Sequence, residues 1–223
     1  MAINPINLAD FKAVIFDMDG VLIDSEPLWK IAMEEVFHAI GSNLTKQDFQ
    51  KTVGLRLDEV IHFWFHHEGW KNCTPQDIEA AIVTKMCALI KDTGCPLPGV
   101  LDSLKFLKNQ GLKIGLATSS YSVLIETVLT QLNIHSYFDF THSAEKEAYG
   151  KPHPAVYLAV ANHFKIDPAK CLVIEDSLNG IISGKAAKMK VVCIPEKTHH
   201  PEPKLILADY HFEDMELFLT AVT

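Results

Sequence analysis

From residue 99 onward, short apolar runs alternate with helix-length stretches, and this alternation restricts the fold more than any other feature of the chain. The spacing predicts helices over 99–110, 123–132, 154–164 and 178–187. Between and after them it predicts strands over 113–118, near 138–140, over 171–174 and 190–194, and near 208–212. An earlier run, Ala13-Val14-Ile15-Phe16, is β-branched and aromatic enough to read as one more buried strand. Strands alternating with single helices form a parallel sheet with helices on both faces. The expected class is therefore α/β, a doubly wound parallel sheet with a Rossmann-like core.

Between the first strand and the alternating region lies a block with no strand pattern. It predicts helices over 28–40, 45–51, 58–67 and 75–91. Ser25 is placed to cap the first of these, Pro27 suits its first turn, and Gly41 closes it. Gly94-Cys95-Pro96-Leu97-Pro98 is the clearest break in the chain and reads as a linker. The expectation is an inserted helical cap domain over 26–93, with the core domain made of 1–25 and 94–223. The insertion leaves after Asp17 and Asp19 and returns at the linker, so it must stand over those carboxylates.

Composition narrows the field of partners. The 223 residues carry a formal net charge of −8, which argues against a general affinity for nucleic acid. No window of about 18 uncharged apolar residues exists, so no membrane span is expected. The first ten residues lack a basic region followed by an apolar stretch, and no secretory signal is expected. The five cysteines, Cys73, Cys87, Cys95, Cys171 and Cys193, contain no C-x-x-C pair. They read as free thiols of a reduced, cytoplasmic protein. The pairs His66-His67 and His199-His200 have no companion ligands at metal spacing and read as surface residues. A monomer acting on a small molecule is the expectation.

Four short stretches carry chemistry. The first strand exits into Asp17-Met18-Asp19-Gly20, two acids one residue apart, which is an acidic turn or half of a cation site. The next ends in Ala117-Thr118-Ser119-Ser120, a hydroxyl and free N–H groups at a helix start, suited to a helix cap or to an anion. Gly150-Lys151-Pro152-His153-Pro154 fixes a lysine between prolines. Val173-Ile174-Glu175-Asp176-Ser177 brings two more acids to a strand end. Each has an ordinary structural explanation alone. Together they collect at one edge of a parallel sheet, where four carboxylates need a cation and hard oxygen ligands favour Mg²⁺. A cation, a fixed ammonium and N–H groups facing a carboxylate make a phosphoryl-transfer site.

The ordered set D-M-D-G-V-L-I-D-S-E-P, A-T-S-S, G-K-P-H-P and I-E-D-S-L-N-G resembles the haloacid dehalogenase-like hydrolase superfamily over nearly the whole chain. The resemblance is to the branch with a helical cap after the first motif, which holds β-phosphoglucomutase and the sugar-phosphate phosphatases. It implies that Asp17 is a nucleophile forming an aspartyl phosphate, and that Asp19 is the general acid and then the base. It implies that Thr118, the Ser119 N–H and Lys151 hold the phosphoryl group. Mg²⁺ would be bound by Asp17, the Asp19 carbonyl and Asp176, with Glu175 a direct or water-linked ligand. One departure is Lys188, where relatives often carry glycine after an alanine pair; it bears on helix termination more than on chemistry.

Within that branch, the mutase carries a histidine at the place of Trp29, and an indole N–H is a donor only. The stretches D-S-E-P-L-W and V-G-L-R resemble hexose- and hexitol-phosphate phosphatases of the 2-deoxyglucose-6-phosphatase type. Arg56 is then either a ligand of a sugar hydroxyl or phosphate, or a solvated arginine at a helix start. Trp29 either packs on a sugar face or belongs to the core. Phe63-Trp64-Phe65 and Trp70 read as the core of the cap. The expected activity is Mg²⁺-dependent hydrolysis of small sugar or sugar-alcohol phosphates. The alternatives are a β-phosphoglucomutase-type transferase and a non-catalytic regulatory phosphate-binding protein. A receiver-type signalling domain would be shorter, would lack the insertion and would not show Glu175-Asp176.

Overall fold

In the computed structural model, which describes residues 6–52, 55–195 and 202–222, a six-stranded parallel sheet has the order β3-β2-β1-β4-β5-β6. Its strands are β1 (Ala13–Phe16), β2 (Lys113–Thr118), β3 (Phe140–Ser143), β4 (Cys171–Glu175), β5 (Lys190–Cys193) and β6 (Tyr210–His211). The helices are α1 (Glu26–Ala39), α2 (Leu57–Glu68), α3 (Pro75–Thr93), α4 (Val100–Asn109), α5 (Ser122–Gln131), α6 (Ala155–Phe164), α7 (Leu178–Ala186) and α8 (Met215–Val222). β1 lies between β2 and β4, with Phe16 opposite both Leu116 and Ile174. All four of its side chains are buried, which is why it reads as an unbroken apolar run rather than an alternating one. The chain builds outward on one side of β1, then crosses to the other. In such sheets the crevice beyond the strand ends at the reversal is the ligand site.

Alternate residues of each strand face opposite layers. Val14, Phe16, Ile114, Leu116 and Ile174 pack in one cluster with Leu104 and Leu107 of α4, Leu124 and Val128 of α5, and Phe218 of α8. Ile15, Val173 and Val191 pack in the other with Tyr157 and Val160 of α6 and Ile181 of α7. The first cluster continues without interruption into the insertion, through Phe37, Ile61, Trp64 and Ile82. The two crossings to the insertion lie side by side: Ile23 forms an antiparallel bridge with Pro96, and the Leu97 N–H donates to the Leu22 carbonyl at 3.0 Å.

At the end of the sheet away from the four motifs, two aspartates act as clamps. Asp139 accepts from the Ile114 N–H at 2.9 Å, Lys108 at 3.0 Å and Lys113 at 3.1 Å. Asp209 accepts from the Val191 N–H at 2.9 Å, Lys185 at 2.7 Å and Lys190 at 2.8 Å. One stands before β3 and one before β6, so each ties an outer strand to its inner neighbour.

The structure departs from the sequence reading in several places. The helix expected over 45–51 is a 3-10 turn, Asp48–Thr52. There the Thr45 N–H and hydroxyl both bond the Asp48 carboxylate, at 3.0 and 2.8 Å, and the segment is too short to nucleate a stable α-helix. The strand expected near 138–140 begins at Phe140, because His135–Tyr137 forms a 3-10 turn and the Asp139 clamp fixes where the strand can start. The strand expected near 208–212 contracts to two residues. α8 was not anticipated: Asp214 accepts from the Leu217 N–H at 2.9 Å at its start, and Met215 and Phe218 are buried. α1 begins at Glu26, and Ser25, expected as its cap, makes no capping bond through its side chain. Lys188 takes the left-handed conformation after α7, with φ +63°, where glycine would be unstrained.

All five cysteines are free. Among the described residues no helix is long and apolar enough to cross a membrane. His66 and His67 are exposed, as expected, whereas His199, His200 and Gly54 lie outside the described residues.

Candidate active site

The four motifs converge because β1, β2 and β4 are adjacent and run in register. Asp17 is the first residue beyond β1, and its N–H donates to the Ile174 carbonyl at 2.9 Å, continuing the ladder with β4. The chain then turns sharply, with the Gly20 N–H donating to the Ile23 carbonyl at 2.9 Å. Gly20 has φ +71°, and a Cβ there would lie 2.1 Å from Asp176 Oδ2. No side chain fits both the backbone and the gap.

Lys151 is buried at the centre. Its ammonium donates to Asp17 Oδ1 at 2.7 Å, Glu175 Oε1 at 2.6 Å and the Ala117 carbonyl at 3.1 Å, and it stands 4.8 Å over the Tyr157 ring. All three of its protons are thus directed. Glu175 is wholly buried and its other bonds are equally complete. It accepts from the Tyr157 hydroxyl at 2.7 Å, the Asp176 and Ser177 N–H groups at 3.1 Å each, and the Ser177 hydroxyl at 3.0 Å. Gly180 makes room for that carboxylate, since a Cβ there would lie 1.7 Å from Glu175 Oε1.

Burial would raise the Glu175 carboxyl, but the Lys151 charge and the bonds from Lys151, Tyr157 and Ser177 hold it below the usual range. Burial works against the Lys151 charge as well, yet Asp17 and Glu175 hold it above the ordinary lysine value. Asp17 goes the other way. Burial, opposed by Lys151 and assisted by the charges of Glu175 and Asp19, pushes it up to about 7. Asp176 is pushed well above the carboxylate range by burial and by Glu175 and Asp17. One oxygen each of Asp17, Glu175 and Asp176 lies within 4.8 Å of the others. Two buried acids and a half-buried one served by one ammonium remain short of positive charge, and an all-oxygen donor set suits a hard divalent cation. The residues fit Mg²⁺.

Asp19 stands apart from this cluster. Its Oδ1 accepts from the Ser25 hydroxyl at 2.5 Å and the Trp29 indole N–H at 3.1 Å, and its Oδ2 from the Ser120 hydroxyl at 2.6 Å. Thr118 is buried at the end of β2, and its hydroxyl accepts from the Ser120 N–H at 3.1 Å. Asp17, Asp19, Thr118, Ser119, Lys151 and Asp176 line one cleft, and Glu175 lies buried behind Lys151. The opposite wall comes from the insertion: Trp29, Met33, Phe49, Leu55, Leu57 and Val60.

Arg56 also lines the cleft, partly exposed, with its guanidinium engaged by other groups of the protein. It donates to both Asp58 oxygens at 2.6 Å, and its Nη1 reaches the Ala144 and Glu147 carbonyls at 3.2 and 3.3 Å. It straps the start of α2 to the loop after β3. Trp64 is fully buried and Trp70 packs 5.1 Å from Phe37, as expected of cap core, whereas Phe63 is exposed. Sequence reasoning missed Ser25 and Ser120 as partners of Asp19 and missed Tyr157 altogether. Tyr157 lies six residues after Lys151, where the proline turn and the start of α6 bring it back beneath the lysine, and nothing local marks it.

Residues 14–194 match the family model described as haloacid dehalogenase-like hydrolase. The chain belongs to the haloacid dehalogenase-like hydrolase family. Within that family it is 39% identical over 198 residues to hexitol phosphatase B of Escherichia coli K12, covering 88% of this chain and 89% of that one. It is 31% identical over 183 residues to a phosphorylated carbohydrates phosphatase of Thermotoga maritima, covering 79% and 81%. Among solved structures it superposes on CbbY from Rhodobacter sphaeroides in complex with phosphate, with a TM-score of 0.84 at 23% identity over 95% of this chain and 99% of that one. It also superposes on a putative β-phosphoglucomutase from Thermotoga maritima, with a TM-score of 0.75 at 26% identity over 94% and 99%. The Rossmann-like haloacid dehalogenase fold expected from the sequence is the fold observed.

Proposed function

We propose that this haloacid dehalogenase-like hydrolase is a Mg²⁺-dependent phosphatase of small sugar or sugar-alcohol phosphates that carries the phosphoryl group on Asp17. The observation supporting it most directly is the division between two carboxylates. Asp17 sits against the Lys151 ammonium in the acid cluster, while Asp19 is held away from that cluster by three donors. One is placed to attack phosphorus, the other to serve the leaving oxygen.

In the first step an Asp17 oxygen attacks phosphorus and Asp19 gives its proton to the departing alkoxide. In the second, Asp19 takes a proton from water, which attacks the aspartyl phosphate and frees Asp17. The Thr118 hydroxyl and the Ser119 N–H hold the phosphoryl oxygens through both steps, and Lys151 joins them by turning toward the phosphoryl group the proton it gives to Asp17. Asp17, the Asp19 main-chain carbonyl and Asp176 would bind Mg²⁺, with Glu175 linked through water because both of its oxygens are already bonded. When bound, the ion offsets the charge of the acid cluster and of the phosphoryl oxygens. Residues 26–93 act as a cap that excludes water and shapes the cleft, and 1–25 with 94–223 as the catalytic core. The protein works as a cytoplasmic monomer.

The wall of the insertion bears on the substrate. Apart from Thr52 and Glu26, whose carboxylate pairs with Lys30 at 3.1 Å, it is apolar, and its one cation among the described residues, Arg56, is engaged by Asp58. A substrate with a single phosphate and an uncharged far end suits it, in keeping with the names of the two phosphatase relatives. The test is phosphate release from a panel of hexose, pentose and hexitol phosphates, with Mg²⁺ and with chelator. Metal-dependent release from a few of these is the expected result. Conversion of glucose 1-phosphate to its isomer without release would overturn it in favour of a mutase. Binding without turnover would indicate a regulatory protein.

A further inference from the structure

We propose that Trp29 is a positioning residue for Asp19, fixing the carboxylate that handles the proton by a hydrogen bond from the cap. The inference rests on the reading of Asp19 as acid and base. Two of the three donors to Asp19 are hydroxyls, Ser25 and Ser120, whose protons rotate freely and which accept as readily as they donate. Neither defines an orientation by itself. The Trp29 indole is different in kind. It is a donor only, it cannot exchange the proton Asp19 moves, and its ring is held by packing against the apolar cluster of the sheet and insertion.

The backbone makes this a link between elements. Trp29 is in the first turn of α1, where its N–H donates to the Ser25 carbonyl at 2.9 Å. Ser25 and Trp29 therefore reach Asp19 Oδ1 from the single turn where the chain enters the insertion, while Ser120 reaches Oδ2 from the exit of β2. The carboxylate is suspended between core and cap, and the indole is the rigid end of that suspension. Through both proton transfers the hydroxyls can reorient toward substrate or water. The indole keeps one oxygen in place, leaving the other to face the leaving group. A misplacement of about 1 Å at such a group lowers the rate about 100-fold.

Trp29 also lines the cleft, so its role must be separated from that of a wall. The discriminating property is the leaving group. A sugar-alcohol phosphate departs as a strongly basic alkoxide and needs a proton, whereas p-nitrophenyl phosphate departs as a stable phenolate and does not. The experiment compares kcat and KM for both substrates in Trp29→Phe, Trp29→His and Asp19→Asn, with thermal midpoints to confirm folding. Trp29→Phe is expected to lower kcat/KM for the sugar-alcohol phosphate about 10- to 100-fold, and to leave kcat/KM for p-nitrophenyl phosphate, which ends at departure of the phenolate and so precedes the second use of Asp19, within about threefold. Trp29→His, which restores an N–H donor, is expected to recover part of the loss. An equal loss on both substrates, or a rise in KM alone, would overturn the proposal in favour of a structural or wall role. If Asp19→Asn is selective for the sugar-alcohol phosphate while Trp29→Phe is not, only the role of Trp29 fails. If Asp19→Asn shows no selectivity, the assignment of Asp19 fails and that of Trp29 falls with it.

Discussion

The floor of the cleft and its wall are built on opposite principles. The floor is the exit of β1, β2 and β4, where Asp17, Lys151 and Glu175 are buried, charged and bound to one another at 2.6–2.7 Å. The wall is one side of the insertion, where Trp29, Met33, Leu57 and Val60 offer apolar surface and Arg56 is tied to Asp58. Charge concentrated at rigid strand ends is suited to the transition state common to every phosphoester. An apolar, helical wall is suited to sorting the remainder of the molecule by shape and by the absence of charge. Reaction and selection are thereby assigned to different parts of the fold, and each can be altered separately.

The largest expected effect breaks the floor. Asp17→Asn removes the proposed nucleophile, and phosphate release should fall by roughly 10⁴-fold or more; measurable turnover near the parent rate would end that assignment. Glu175→Gln strikes the same network from behind. It leaves Lys151 with one carboxylate in a buried site, and urea unfolding should show a loss of about 3–5 kcal/mol. A loss well below this would mean that Lys151 finds another partner.

The floor also predicts a pH dependence. With chelator present, the Asp17 carboxyl is raised by burial to about 7 from an ordinary 3.8. A raised acid contributes stability that is fully present below its ordinary value and is lost as pH climbs through the raised one. The Asp176 shift has the same sign. Glu175 is shifted the other way from an ordinary 4.5, and its contribution is lost only below that value. Between about pH 5 and 8 the metal-free protein should therefore lose stability as pH rises, and Mg²⁺ should restore it increasingly. A thermal midpoint that ignores Mg²⁺ at pH 8 would contradict the placement of the ion.

The wall is tested by giving it what it lacks. Leu55→Lys adds a cation to an exposed position of the wall, and the ratio of kcat/KM for a hexose bisphosphate over a hexitol monophosphate should rise about tenfold. An unchanged ratio would remove the wall from specificity. The smallest change lies outside both regions. Lys188→Gly relieves a left-handed lysine and should gain about 1 kcal/mol in unfolding experiments while phosphate release stays the same.

Most of the floor was legible in the sequence because strand exits place their chemistry next to an apolar run. Asp17, Thr118 and Glu175 each follow or end such a run, so the strand pattern and the motif announce each other. The partners of Asp19 were not legible in the same way. Ser25 read as a helix cap and Trp29 as a sugar platform or core residue, because their direction depends on the angle at which α1 leaves the turn. Arg56 was left open between a ligand and a solvated residue; its carbonyl partners, Ala144 and Glu147, lie some ninety positions away and only folding brings them near. α8 went unread because a short helix over the last residues has too few turns to establish a period.

The paired clamps of Asp139 and Asp209 have a consequence for how the molecule opens. Both carboxyls sit below the usual range: burial opposes this, and the neighbouring lysines and a strand N–H outweigh it. Such acids support the fold above their ordinary value and cease to do so as pH falls through the lowered one. In acid, exchange of the amide protons at Ile114 and Val191 should quicken before that of the central strand, because each donates to an aspartate. The two flanks of the sheet would then loosen as matched local openings while β1 and the catalytic loop behind it stay closed.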